Sequence, residues 1–186
     1  AMEEMIRQEE IAAVVDLSLH EMADHRFGGD YDAGPLRGSA ALGEGVPTVL
    51  VPGNIDFIVT GPKEKAQDKF PGRTFHQHNA AITVVRSDPK EMEVLGHVIA
   101  DTCNRAKGEW SILIPMGGFS AFDSDSGPMP DPKARQCFTD ALLQHLTENT
   151  NVQTLPFHIN DPHFAQTIVQ VLERFSEKQS HLKTTK

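Results

Sequence analysis

Apolar positions along the chain fall into two kinds of run, and their alternation sets the expected fold. Short continuous runs at 11–15, 47–51, 55–59, 82–85, 112–114 and 152–159 read as strands, most of them buried on both faces. Between them lie one-faced series at helical spacing: Met92, Leu95, Ile99, Cys103 and Ala106, then Cys137, Phe138, Ala141 and Leu142, then Phe164, Ile168, Val171, Leu172 and Phe175. These predict helices over about 89–107, 132–147 and 162–176. Each begins at an Asp-Pro pair, Asp88-Pro89, Asp131-Pro132 and Asp161-Pro162. An Asp at the cap accepts orphan backbone N–H groups, and Pro fits the first turn without losing a needed bond.

Three further helices are expected nearer the start. Residues 2–9 have helical character without a start signal, which places the beginning of the fragment inside a larger protein. Ser18-Leu-His-Glu21 has the spacing of a capping box and opens a short helix stopped by Gly28-Gly29. A second short helix over 35–44 ends at Gly45. Residues 61–79 are polar and rich in Gly, Pro and Lys, too long for an ordinary connection, and read as a lid or covering loop. The polar stretch 177–186 is expected to fray, leaving one domain over 1–176. Strands alternating with one-faced helices make this an α/β layer fold with a mostly parallel sheet. The second to fourth strands lack clear helices between them, which leaves room for an antiparallel portion.

Composition narrows the function. With 17 basic and 26 acidic side chains the formal charge is −9, so a sequence-blind grip on nucleic acid has no basic surface to stand on. No apolar run approaches the roughly 18–20 residues that span a bilayer, and no basic-then-apolar leader opens the chain, so the expectation is a soluble, cytoplasmic protein with no membrane partner. Cys103 and Cys137 fall among the apolar positions of separate helices and read as reduced core thiols.

In open parallel sheets, ligands bind beyond the C-terminal strand ends, where helix N-termini present N–H groups. That rule selects Asp16; Gly53, Asn54 and Asp56; Arg86; residues 115–123; and residues 158–161. Gly117 and Gly118 leave a strand directly, so backbone N–H groups with the Ser120 hydroxyl are suited to a phosphate or carboxylate; a tight exit turn explains the glycines equally well. Arg73 and Arg86 are the natural anion partners, or else ordinary ion pairs. Asp88, Asp131 and Asp161 are explained by capping alone. His76 and His78 with His158 would make three metal ligands only if the fold joined them, and without a Cys pair or an HExxH spacing they read as hydrogen-bonded histidines, with no metal. His20, His97, His145 and His181 belong to no motif and read as surface or helix-face residues. A Gly-x-Ser-x-Gly elbow, a Gly-Lys-Ser/Thr phosphate loop and a G-x-G-x-x-G turn are absent from the sequence.

Taken together, Ala1-Met2-Glu3, Pro52-Gly53-Asn54-Ile55-Asp56, His78-Asn79, Val85-Arg86-Ser87, Pro115-x-x-Gly118-x-Ser120-x-x-Asp123, Asp131-Pro132 and 156–162 resemble the C-terminal half of the Tm-one-like ATP-binding family. The resemblance runs from residue 1 to about 176 and rests on the order and spacing of the blocks. It implies a Rossmann-like layered fold with helices on both faces, an N-terminal partner domain missing here, and self-association into a homo-oligomer. ATP or another nucleotide is implied for the N-terminal part of the full-length protein, not for this fragment. Matching the pattern selects Asn54, Asp56, His78, Asn79, Arg86, Gly118, Ser120, Asp123, His158 and Asn160. Met116-Gly117 stands where relatives often carry polar residues, and Phe57 where an aliphatic side chain is usual.

Three readings remain. In the first, Asn54, Asn79, Arg86, Gly117, Gly118, Ser120 and Asn160 bind an anionic small molecule or nucleotide, together with the N-terminal half. In the second, an enzyme uses His78 or His158 as acid–base and Asp56 or Asp123 to orient it. In the third, the domain is a non-catalytic scaffold for dimerisation or protein contact.

Overall fold

The computed structural model describes residues 2–8 and 11–184, with side chains at 3–8 and 11–178; Ala1, Glu9, Glu10, the last two residues and the His181 side chain lie outside the described residues. The chain runs α1 (Met2–Gln8), β1 (Val14–Asp16), α2 (His20–Phe27), α3 (Ala40–Glu44), β2 (Thr48–Leu50), β3 (Phe57–Thr60) and α4 (Lys63–Lys69). It continues β4 (Phe75–Gln77), β5 (Thr83–Arg86), α5 (Pro89–Asn104), β6 (Trp110–Pro115), α6 (Pro132–His145), β7 (Val152–Leu155) and α7 (Pro162–Thr184).

The strands form two sheets. A parallel sheet has the order β1-β2-β6-β7, and a separate antiparallel one has the order β3-β5-β4. The expected antiparallel portion is therefore a sheet of its own. In the parallel sheet alternate residues face opposite layers: Leu50, Ile112 and Ile114 meet Leu95, Ile99, Phe138 and Leu142 of α5 and α6. Val49, Val51 and Leu113 meet Phe164, Val171 and Phe175 of α7 on the other side. The small sheet alternates in the same way, with Ile58 and Val85 in the main core and Phe57, Val59 and Val84 packed with Met129.

The Asp-Pro helix starts form as the sequence predicts. Asp88 accepts from the Glu91 amide while Glu91 accepts from the Asp88 amide. Asp131 accepts from the Ala134 amide and Asp161 from that of His163. The Ser18–Glu21 capping box does not form: α2 starts with Leu19 at the cap and no side-chain bond. The Ser18 hydroxyl instead accepts from Asn54 Nδ2 at 3.0 Å, and Glu21 lies 3.4 Å from Arg37 Nε. The helix expected over 35–44 shortens to Ala40–Glu44, and the Glu3 carboxylate of α1 takes up the Gly38 and Ala40 amides ahead of it.

Residues 61–79, expected as a lid or covering loop, are not an irregular loop: they hold α4 and the edge strand β4. The polar stretch from Glu177 continues α7 to Thr184 rather than leaving it. Among the described residues no helix is long and apolar enough to cross a membrane.

Candidate functional site

Of the segments picked out at the C-terminal strand ends, those carrying Asp56, Arg86, Ser120 and Asp123 meet in the interior, whereas Asp16 pairs with the Arg37 guanidinium. Asp56 follows β2, Arg86 ends β5, and Ser120 and Asp123 lie in the turn after β6; Arg135 joins them from α6. Arg86 Nη1 donates to Asp56 Oδ2 at 2.6 Å, and Arg86 Nη2 lies 3.0 Å from Asp123 Oδ1. Arg135 Nη1 reaches the same Asp123 oxygen at 2.7 Å. The Ser120 hydroxyl donates to Asp56 Oδ2 at 2.8 Å, and the Phe119 and Asp131 amides donate to Asp123. Two carboxylates face two guanidiniums, with Asp56 and Asp123 fully buried and Arg86 only 6% exposed.

This sealing corrects the picture of Arg86 as an anion clamp. Its Nη1 also donates to the Asp56 carbonyl and its Nη2 to the Asp131 carbonyl, so both terminal nitrogens are engaged. Burial pushes the Asp56 carboxyl up to about 6, against the opposing pull of Arg86. Asp56 Oδ1 and the Nε atoms of Arg86 and Arg135 find no hydrogen-bond partner among the described residues. Arg73 is likewise taken, by the Glu91 carboxylate at 3.1 and 2.5 Å, which holds its guanidinium above its ordinary range.

The glycine pair after β6 lets the segment after β7 approach closely. Gly118 and His158 form a parallel bridge, with the Ile159 amide donating to the Gly118 carbonyl. A Cβ on Gly117 would stand 2.6 Å from the His158 nitrogen, and one on Gly118, at φ +143°, would stand 2.5 Å from the His158 ring. His158 itself is satisfied by backbone: Nε2 lies 2.9 Å from the Ser120 carbonyl and Nδ1 accepts from the Asn160 amide at 3.0 Å. Asn54, at φ +58°, donates its amide to the Phe119 carbonyl, tying the β2 exit to the β6 exit.

His78 and Asn79 sit elsewhere, at the exposed turn between β4 and β5, where Asn79 Oδ1 accepts from the Ala81 and Ile82 amides. His78 packs edge-on to Phe122, and His76 packs against the same ring. Among the described residues neither His78 nor His158 is hydrogen-bonded to Asp56 or Asp123, so the carboxylate-oriented acid–base expected from sequence is not assembled.

His78 instead borders a feature that sequence reading passed over. A cavity of about 270 Å³ opens between α2 and the outer face of the antiparallel sheet. Phe57, Val59 and Val84 form its floor, with Ile82, Phe122 and Tyr31 around it, and His20 and His78 are its basic side chains. His20 stacks on Phe57 and meets Tyr31 edge-on. Its Nδ1 is buried, 3.8 Å from Oδ2 of the fully buried Asp24. Asp24 is held by the Val59 amide at 2.7 Å and the Tyr31 amide at 3.1 Å. The i, i+4 spacing of His20 and Asp24 on α2 was the signal available in the sequence.

Comparison with known proteins places the chain. It is 33% identical over 184 residues to the tomato (Solanum lycopersicum) ToMV resistance protein Tm-1(GCR237), covering 98% of this chain and 24% of that protein. A UPF0261 protein of Clostridium tetani is 32% identical over 179 residues, covering 96% of this chain and 44% of the relative. A UPF0261 protein of Rhizobium meliloti is 31% identical, covering 91% and 43%. The chain thus spans between a quarter and somewhat under half of the curated relatives it matches. Residues 1–176 match the C-terminal domain of the uncharacterised protein family UPF0261, and the chain belongs to that family.

Proposed function

We propose that this domain binds a small organic molecule in the cavity between α2 and the antiparallel sheet. The observation that carries the reading is the cavity's make-up: aromatic and aliphatic walls with a small number of convergent polar groups, the usual composition of a small-molecule site. An apolar cavity of roughly 150 Å³ takes benzene. At about 270 Å³ this one has room for a substituted ring.

The residues at the strand-end rim argue against an anion or nucleotide there. Arg86 spends its terminal nitrogens on Asp56, Asp123 and the Asp131 carbonyl. The helix starts at Asp131 and Asp161 already hold a carboxylate, which opposes a phosphate there. Arg86 and the helix starts at Asp131 and Asp161, so engaged, do not fit a triphosphate at this rim. In a longer protein of the family, this domain is the C-terminal, ligand-holding part, and any nucleotide takes its phosphate contacts from the N-terminal part. With both His158 nitrogens bonded to backbone, binding is better supported than acid–base catalysis by His158.

A thermal-shift screen tests this. Indole and 4-ethylphenol at about ten times their dissociation constants should each stabilise the domain by about 1.4 kcal/mol, or roughly 3–6 °C in Tm. Inorganic phosphate and ATP should leave Tm unchanged. Stabilisation by ATP alone, or by none of the four, would refute the reading.

A further inference from the structure

The cavity's polar equipment points to a narrower ligand class, an inference that rests on the binding site proposed above. His20 places Nδ1 inward, 3.8 Å from Asp24 Oδ2. Asp24 is wholly buried, and His20 is its only side-chain ion-pair neighbour among the described residues. A lone pair on Nδ1 facing that carboxylate would be repelled at low dielectric, whereas an N–H there is attracted. The proton of a neutral imidazole therefore sits on Nδ1, and the partner of one ring nitrogen sets the character of the other. Nδ1 makes no hydrogen bond within the described residues and meets Asp24 only through the 3.8 Å charge contact, while Nε2 is left as an acceptor to which none of the described residues donates.

We infer that His20, oriented by Asp24, is the recognition group of this cavity and accepts a hydrogen bond through Nε2 from a ring-bearing ligand that carries an O–H or N–H donor. The rings of Phe57 and Phe122 stand 5.3 Å apart, edge to face, and offer the apolar surface that holds such a ring. The His20 ring lies nearly parallel to that of Phe57, with 6.4 Å between centroids, so its imidazole stands along the same wall. A phenol, or a heteroaromatic ring with an N–H, satisfies both halves of this arrangement. A hydrocarbon ring of the same shape satisfies only the apolar half.

The test compares 4-ethylphenol with 4-ethyltoluene, which differ by a hydroxyl against a methyl, on the wild-type chain and on His20→Phe. Affinities are read by titration of the aromatic and methyl NMR signals. One hydrogen bond of ordinary strength is worth up to about tenfold. The ratio of affinities for the phenol over the hydrocarbon should fall by about that factor in His20→Phe. Independently of any ligand, the ¹⁵N shifts of the His20 ring should report the proton on Nδ1. An unchanged ratio, or a proton on Nε2, would overturn the inference while leaving the cavity as a binding site. Failure of both probes to bind the wild-type chain would overturn the cavity reading as well. Should His20→Phe not fold, the ring tautomer decides the inference.

Discussion

Replacing Arg86 with Met separates a sealed structural cation from a ligand-binding one. In the wild-type chain Arg86 makes ion pairs with Asp56 at 2.6 Å and Asp123 at 3.0 Å, and it donates to two backbone carbonyls. Methionine keeps most of the volume but strands two fully buried carboxylates beside a single remaining guanidinium, that of Arg135. Breaking a buried pair from one side costs about 3–5 kcal/mol, because the remaining charge is left uncompensated. For a chain of this length that is roughly 6–20 °C in Tm. The loss should be greater at pH 8 than at pH 5, since protonation of Asp56 relieves the stranded charge, and its carboxyl is already pushed up to about 6 by burial. Urea denaturation at both pH values gives the free energies. Arg73→Met is the comparator: Arg73 is partly exposed and paired with Glu91, so its loss should cost about 1 kcal/mol or less. If Arg86→Met costs no more than Arg73→Met, the sealed-core assignment is wrong and Arg86 is free for a ligand.

Three other outcomes are expected. Gly118→Ala should destabilise the domain by about 1–3 kcal/mol in urea titrations, because a Cβ at φ +143° would lie 2.5 Å from the His158 ring; a cost near zero would contradict the close approach. Asp56 binds its proton more tightly folded than unfolded, so its contribution to stability is greatest below about pH 4 and declines as pH rises through about 6, by on the order of 3 kcal/mol. Asp56→Asn should remove that decline from the stability–pH profile, and a variant whose profile matches wild type between those pH values would refute the assignment. Burial pushes the Cys103 thiol up to about 12, so a thiol reagent should label it only as fast as the chain unfolds, and rapid labelling under native conditions would show the helix packing to be wrong.

What could be read from the sequence was local physics. The Asp-Pro helix starts, the central runs of the parallel sheet and the one-faced helices appear where periodicity puts them, because each depends on near neighbours, whereas the run at 11–15 gives a strand only from Val14 and that at 152–159 only to Leu155. The division into two sheets depends on which strands pair across the fold, and periodicity does not encode it. Helix α4 escaped because Lys63–Lys69 buries only Ala66 and so has no apolar stripe to detect. Strand β4 escaped because Phe75 and His76 are only partly buried at a sheet edge. The strand-end rule brought Asn54, Asp56, Arg86, Ser120, Asp123 and His158 to one region of the molecule. Whether they would line a cleft or close on one another turned on long-range pairings, Arg86 with Asp56 and Asp123 above all. The cavity was missed for a related reason: His20 and Asp24 show their spacing in sequence, but Phe57, Val84 and Phe122 come to them from three distant segments.

The claim that matters most is where a ligand sits. Methyl-labelled protein titrated with 4-ethylphenol reports this directly, since Val59, Ile82 and Val84 border the cavity while Leu17 and Ile159 lie along the strand-end rim. The account predicts saturable shifts at the first three and unmoved signals at the other two. Shifts confined to Leu17 and Ile159 would contradict it.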